Sequence, residues 1–354
     1  MKKILYIIPR FVVGGAEMLL LHTVTELQKI GEYEIVVAAV RAGGELEAKF
    51  ISAGVRTFVA SRGGIIFGAF FTWLRLRRFT RDFAPDIIHS HVFSADFMTR
   101  FLPRGRARWI STQHNGRELY SSLRRLVLRH ILRRADRVIA VSGGVRDFCV
   151  TDLHILASRI LLVINGVPTE KYRCLAQARL TAPFNLISVG RLSAQKNHSL
   201  LLHALAKLRN YDWTLNIYGE GDMRLELEFM AQSLKIADRV FFPGNVMNVA
   251  EVYCAADFVV QTSYFEGMSL VIMEAMAAGR TIVATRAAGE GIITDGVDGI
   301  LVGDEDCDGL GEVLADLFGN PVRARTLAER AASNADNFSF SHTLAVLRKI
   351  YEDE

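Results

Sequence analysis

Twice along this 354-residue chain, short runs of β-branched and aliphatic residues alternate with stretches of helical spacing. The second round starts after the first gives way to glycine, proline and polar residues. Continuous apolar strands joined by helices specify a parallel sheet covered on both faces. In the first round Ile4–Ile8, Glu34–Val40, Arg56–Ala60, Ile87–Ser90, Trp109–Thr112 and Val138–Val141 read as strands, with helices over Ala16–Lys29, Ile66–Asp82, Leu119–Arg134 and Gly144–Cys149. In the second, Leu186–Val189, Thr214–Tyr218, Val240–Phe242, Phe258–Gln261, Ile282–Ala284 and Ile300–Val302 read as strands. The second-round helices are Leu200–Lys207, Arg224–Leu234, Ser269–Ala278, Leu310–Leu317 and Val322–Asn334. The expectation is an α/β chain of two doubly wound domains facing across a cleft, at residues 1–168 and 169–340, hinged near Asn165–Pro183. Residues 341–354 read as a C-terminal helix free to pack back on the first domain. Ligands of such sheets sit at the carboxyl ends of the strands, near the switch in strand order.

Composition supports two cores, since half of the residues are apolar and under a quarter charged. The N-terminal apolar run is broken at Pro9 and Arg10, too short for a signal segment or a membrane span. It reads as a buried first strand of a protein that is cytoplasmic, or peripheral on a membrane surface. Cys149, Cys174, Cys254 and Cys307 form no Cys-x-x-Cys pair, and none stands beside a His at zinc-ligand spacing. That pattern predicts reduced thiols used as small core residues. Net charge is +12 over residues 1–168 and −8 over 169–354. Two readings of the basic half stand: an anionic partner, or arginine-rich helix faces in water.

Chemistry concentrates in Gln261-Thr-Ser-Tyr-Phe-Glu266-Gly267-Met268-Ser269-Leu270-Val-Ile-Met-Glu274-Ala-Met-Ala-Ala-Gly279. A strand ends at Gln261 and a helix starts near Ser269, where unpaired N–H groups and the positive dipole end suit a pyrophosphate. Gly267 lets backbone approach such a ligand. A carboxylate at Glu274, among Val271, Ile272, Met273, Ala275 and Met276, would be costly to bury without a partner.

Here the chain resembles the retaining glycosyltransferases of the two-Rossmann (GT-B) architecture, family four, whose hallmark Glu-x7-Glu is matched by Glu266 and Glu274. The resemblance implies that Glu266 contacts the donor sugar and Glu274 the nucleotide ribose. It also implies that the backbone of Gly267, Met268, Ser269 and Leu270 holds the diphosphate. Gly190-Arg191-Leu-Ser-Ala-Gln-Lys196 matches the family's second-domain loop, where Arg191 and Lys196 bind the donor phosphates. Gly14-Gly15-Ala16-Glu17 stands where its first glycine-rich loop does, with Gly15 toward the donor and Gly14 on the acceptor or sugar side. Asn165-Gly-Val167, Tyr218-Gly-Glu-Gly221 and Phe242-Pro-Gly-Asn-Val246 keep the family's order, and Val246 is a further donor-binding candidate. After Thr285 the chain departs from the pattern, with Arg286-Ala-Ala-Gly289-Glu290 where relatives carry Gly-Gly before an acid.

Fixed cations aimed at a leaving diphosphate stabilise the transition state more than the ground state, which accounts for Arg191 and Lys196 on physical grounds too. His89 and His91 share one face of a strand. By resemblance His91 reaches the sugar, His89 packs in the core, and His114 is a second candidate. Asp304-Glu-Asp306 and Asp306-Cys-Asp308 spell Asp-x-Asp but sit in an acidic loop, so no metal and no other cofactor is expected.

The resemblance implies retention of anomeric configuration, with transfer from a UDP- or GDP-sugar to a glycan or lipid-linked acceptor in cell-surface polysaccharide or lipopolysaccharide synthesis. The acceptor belongs on the basic first domain. The stretch Ile65–Phe79, with Arg75, Arg77 and Arg78, and the segment Leu119–Arg137 could rest on anionic lipid or simply cover the sheet. A nucleotide-sugar 2-epimerase and a non-catalytic sugar-nucleotide-binding protein share the architecture. No nucleic-acid partner is expected, because no motif reads bases.

Overall fold

The apolar run Ile4–Ile8 lies in an interior strand of the first of two parallel sheets in a computed structural model of the chain, which describes residues 1–61, 68–246 and 248–352. The chain divides into two compact units, the first comprising Met1–Ile164 and Leu344–Glu354, the second Asn165–Thr343.

The first unit contains β1 (Lys2–Ile8), β2 (Tyr33–Ala39), β3 (Arg56–Val59), β4 (Ile87–His91), β5 (Arg108–Gln113), β6 (Arg137–Ala140) and β7 (Ile160–Leu162), ordered β3-β2-β1-β4-β5-β6-β7. Its helices are α1 (Gly15–Ile30), α2 (Leu46–Ser52), α3 (Gly68–Phe83), α4 (Val92–Thr99), α5 (Ser122–Leu132) and α6 (Gly143–Thr151). Alternate residues of β1 face opposite ways. Ile4, Tyr6 and Ile8 pack with Leu27, Phe50 and Tyr351, whereas Leu5 and Ile7 pack with Leu76, Phe83 and Ala95. Leu5 lies opposite Val36 on one side and Ile88 on the other, so β1 is buried on both faces and both edges.

In the second unit β8 (Phe184–Val189), β9 (Trp213–Tyr218), β10 (Val240–Gly244), β11 (Phe258–Gln261), β12 (Thr281–Thr285) and β13 (Ile300–Val302) are ordered β10-β9-β8-β11-β12-β13. Helices α7 (Thr169–Tyr172), α8 (His198–Ala206), α9 (Arg224–Ser233), α10 (Val249–Ala255), α11 (Leu270–Ala277), α12 (Arg286–Gly289), α13 (Cys307–Gly319) and α14 (Pro321–Asn334) accompany them. Phe258 and Val260 enter one core with Leu186 and Val283, and Val259 enters the other with Ile187 and Ile282. The final helix, α15 (Phe340–Glu352), starts in the second unit, and from Leu344 onward it belongs to the first.

Both sheets are the doubly wound parallel sheets that the alternation implied. Five short helices, α2, α4, α7, α10 and α12, escaped the sequence reading, as did β7. At 7, 8, 4, 7 and 4 residues these helices are too short for a 3.6-residue period to declare itself. Ile65, Ile66 and Phe67 of the aromatic–basic stretch lie outside the described residues, as do Asp353 and Glu354, which the sequence reading placed in the terminal helix. Among the described residues no helix is long and apolar enough to cross a membrane.

The expectation of four reduced thiols is corrected. Cys174 and Cys254, 80 residues apart, form a disulfide, while Cys149 is a buried free thiol and Cys307 a partly buried one. No spacing rule finds such a pair, because α7 and α10 meet only once the sheet has assembled.

Candidate functional site

In each sheet the strand order reverses at one point, between β1 and β4 and between β8 and β11. Loops leaving two such neighbouring strands diverge and open a crevice at their carboxyl ends. In the second unit the loop after β8 carries Gly190, Arg191 and Lys196, and the loop after β11 carries Glu266 through Ser269. Hydrogen bonds stitch the two loops together. Gln195 Nε2 donates to Phe265 O at 2.9 Å, Tyr264 N to Gln195 O at 2.9 Å, and Thr262 Oγ1 to Asn197 O at 2.9 Å.

The result brings Lys196 Nζ to Glu266 Oε1 at 2.5 Å, with the Ser263 hydroxyl donating to the same oxygen at 2.8 Å. Both ionic side chains are largely shielded, at 15% and 14% exposure, so solvent screens their attraction less than it would at the surface. Arg191 stays exposed and forms no ion pair among the described residues. Glycines make the loops fit. At Gly219, φ is 137°, and a Cβ there would stand 2.0 Å from Gly190 O, so the β8 and β9 loops touch backbone to backbone.

Helix α11 begins at Leu270 behind Ser269, which makes no side-chain cap. Its first N–H groups are therefore available to an anion. Glu274 lies in the second turn, partly exposed, and both of its oxygens are occupied. Tyr172 OH donates to Oε1 and Tyr253 OH to Oε2, each at 2.8 Å. Burial pushes the Glu274 carboxyl up from its ordinary value, and the two phenols pull it back. Sequence reading found the carboxylate but not its partners, which sit on the short α7 and α10. Val246 lies after β10, two strands from the switch point, and no hydrogen bond or ion pair among the described residues joins it to the Lys196–Glu266 pair.

The acidic loop has other work. Asp304 Oδ1 accepts from Ala287 N at 2.9 Å, Asp306 Oδ1 accepts from Gly309 N at 2.8 Å to cap α13, and Asp308 pairs with Lys207.

In the first unit α1 starts directly behind Gly14, with Gly15 exposed, and the Glu17 carboxylate folds back over Gly14. His91 ends β4, and Val92 follows at φ 67°, a conformation rare for a β-branched residue, turning the chain at once into α4. His91 Nδ1 lies 3.0 Å from His114 Nε2, one ring donating and the other accepting. His91 Nε2 is buried and has no partner among the described residues. His89 lies beneath, its ring stacked on His91 and its nitrogens bonded to Tyr351 OH and Thr112 Oγ1 at 2.7 Å each. Burial lowers all three histidines, His91 well below its ordinary value, His89 to about 3 and His114 to about 4. All are therefore neutral at pH 7 and able to hydrogen-bond rather than carry charge. Sequence reading missed Asp96, which accepts from Ser90, Ser111 and Gln113 at 2.6, 2.7 and 2.8 Å and so locks the ends of β4 and β5. An isolated Asp in an unrecognised helix gave no signal.

The basic helices do cover the sheet, turning Leu76 and Phe83 of α3 and Leu128 and Ile131 of α5 inward. Yet Phe70, Phe71, Leu123 and Leu126 remain exposed beside Arg75, Arg77, Arg78 and Arg124. Trp73 Nε1 donates to Phe101 O at 3.1 Å and Arg100 meets His130 at 2.9 Å, which joins α3, α4 and α5 into one surface.

Residues 13–171 match the family model described as Glycosyltransferase Family 4, and residues 183–320 match that described as Glycosyl transferases group 1. The D-inositol 3-phosphate glycosyltransferase of Rhodococcus jostii (strain RHA1) is 31% identical over 242 residues, 63% of this chain and 54% of that protein. The protein of the same name from Mycobacterium avium (strain 104) is 29% identical over 295 residues, 75% of this chain and 69% of the other. The chain thus spans a little over half the length of the first of these relatives. Anabaena HepE, solved with UDP and glucose, shares the fold with a TM-score of 0.89 at 20% identity over 99% of both chains. The sucrose-phosphate synthase of Thermosynechococcus elongatus does so with a TM-score of 0.84 at 19% identity, over 99% of this chain and 98% of the other.

Proposed function

The chain belongs to the family-four, group 1 glycosyltransferases, and from that premise we propose that it transfers a sugar from a UDP- or GDP-sugar to an acceptor with retention of configuration. The observation that carries this reading is the Lys196–Glu266 pair at the β8/β11 switch point, beside the uncapped start of α11. A diphosphate there meets Lys196, Arg191 and the N–H groups behind Ser269. Glu274 takes the ribose hydroxyls, Glu266 the sugar, and Gly190, Gly267, Met268 and Leu270 give backbone close to the phosphates. Val246 flanks the base. The relatives' structures with UDP favour uridine as that base.

Transfer proceeds on one face of the sugar. The acceptor hydroxyl oxygen bonds to the anomeric carbon as the bond from that carbon to the diphosphate breaks, and the hydroxyl proton passes to a phosphate oxygen. The two cations supply the charge stabilisation, so no metal enters the scheme. In the first unit the neutral His91, held by His114, is the residue suited to hydrogen-bond a sugar hydroxyl through its unpartnered Nε2, with the Gly14–Gly15 turn giving backbone. The acceptor is anionic, a phosphorylated or lipid-phosphate-linked glycan, as the +12 charge of residues 1–168 favours. The exposed aromatic and arginine face of α3, α4 and α5 rests on anionic lipid at the cytoplasmic side of the cell membrane.

The test is calorimetric titration with UDP, GDP and ADP, followed by product analysis with the matching sugar donor. Transfer to an added acceptor supports the reading. A donor whose sugar is changed without any acceptor would identify an epimerase instead, and binding without turnover a non-catalytic protein.

A further inference from the structure

The donor reading of Glu274 leaves open what holds its carboxylate in place. Its two oxygens are bound by two phenols that come from separate parts of the chain. Tyr172 closes α7 and Tyr253 lies in α10, and their rings meet edge to face at 5.9 Å. Both are buried, at 5% and 0% exposure. Beside them the chain is cross-linked: Cys254 follows Tyr253 directly, Cys174 stands two residues after Tyr172, and the bridge sets their Cα atoms 5.5 Å apart.

A carboxylate offers about four acceptor positions. The phenols use one on each oxygen, which leaves capacity on both for a ligand on the partly exposed side. Around Glu274 the helix is apolar, with Ile272, Met273, Ala275 and Met276 all buried. The titratable and charged groups that bear on it are Tyr172, Tyr253 and Lys171. Remove the phenols, and desolvation drives the carboxyl toward its protonated form, free to rotate and poorer as an acceptor.

We propose that Tyr172 and Tyr253 are positioning residues for Glu274, and that the Cys174–Cys254 bridge fixes the spacing of the two phenols, so that donor affinity depends on whether the bridge is closed. This rests on Glu274 binding the donor. Cys254 is exposed and Cys174 only half-buried, so a dithiol can reach the bridge. Two electrons and two protons pass from the dithiol to the bridge, leaving two thiols in the protein and a disulfide in the reductant. The helices α7 and α10 then keep their packing but lose the covalent tie beside each tyrosine.

The experiment titrates UDP, with GDP alongside, into the full oxidised chain, the chain treated with dithiothreitol, and the variants Tyr172→Phe, Tyr253→Phe, Cys174→Ser/Cys254→Ser and Glu274→Gln. Each Phe variant is expected to raise the nucleotide Kd and donor KM by about fivefold, with kcat at saturating donor changed less than about twofold. The low-pH limb of nucleotide binding moves to higher pH in both. Opening the bridge, by reductant or by serine, weakens binding severalfold and shrinks the further effect of Tyr172→Phe. Folded Phe variants that bind as the wild type does, with an unshifted pH profile, overturn the positioning role. Should those variants not fold, reduction of the wild type decides, and an unchanged Kd overturns the proposal. If Glu274→Gln itself binds nucleotide normally, the donor role of Glu274 falls and takes this inference with it. If Glu274→Gln binds weakly while the Phe variants do not, the inference alone fails.

Discussion

Lys196 and Glu266 neutralise one another at 2.5 Å across two loops that only the β8/β11 junction brings together. On the proposed function, a diphosphate would compete with Glu266 for the ammonium group and free the carboxylate for the sugar. The pairing of Lys196 with Glu266 keeps two partly buried charges from standing alone, which would be costly.

Each partner can therefore be removed and the loss measured. Glu266→Ala should lower kcat/KM by at least tenfold, about 1.4 kcal/mol of transition-state stabilisation. Lys196→Ala should lower it by roughly 100- to 1000-fold, as loss of a charge-stabilising donor does. Because the residues touch, the double variant should lose less than the product of the single losses. A tenfold loss not reached in Glu266→Ala would count against its role at the sugar.

Gly219→Ala attacks the scaffold rather than the chemistry. The new methyl would have to occupy space 2.0 Å from Gly190 O in a backbone conformation that disfavours side chains. Destabilisation on the order of 3 kcal/mol is expected, a fall in Tm of roughly 6–12 °C, with nucleotide affinity reduced as the Arg191–Lys196 loop shifts. An unchanged melting curve would show that the two loops are not packed as described.

Stability should also report the buried histidines. His89 and His114 have folded values of about 3 and about 4, below their ordinary value, so the unfolded chain binds protons that the folded chain refuses. Their contribution is complete above about pH 6.5 and is lost as pH falls, down to about 4 for His114 and about 3 for His89. At pH 5 the loss from His89 alone is on the order of 2 kcal/mol. Asp96, raised to about 6, works the other way between about pH 6 and its ordinary value, and offsets only part of this. Thermal melts from pH 7.5 to 4.5 should show Tm falling, and His89→Gln should flatten that slope.

The surface of α3, α4 and α5 invites a direct measurement. Flotation with liposomes containing anionic lipid at low salt should carry the protein upward, and added salt should release it. Replacing Arg75, Arg77 and Arg78 by Gln should weaken the association by about 1 kcal/mol per residue. Protein that stays in the soluble fraction at low salt would remove the membrane reading.

The parallel sheets and the loops bearing Glu266, Glu274, Arg191 and Lys196 were legible because buried strands and glycine-rich turns leave dense local signals. What stayed hidden depends on contacts between distant segments. Tyr172 and Tyr253 sit on helices of 4 and 7 residues, below the length at which a helical period is visible. Cys174 and Cys254 give no hint of one another across 80 residues. The Lys196–Glu266 contact was expected only as two ligands of a common donor, not as a pair in its own right. Asp96 ties β4 to β5 through Ser90 and Ser111, and Tyr351 holds His89, contacts of which the local sequence gives no sign.

The first unit borrows part of its core from the far end of the chain. Leu347, Ile350 and Tyr351 pack against the β1 face, and the Tyr351 hydroxyl bonds Tyr6 at 2.8 Å and His89 at 2.7 Å. During synthesis, therefore, residues that begin this unit leave the ribosome early, yet their packing stays incomplete until all of Asn165–Thr343 and the helix beyond have been translated. The unit that starts first finishes last, and its unsealed β-sheet is the surface a chaperone would have to guard in the interval.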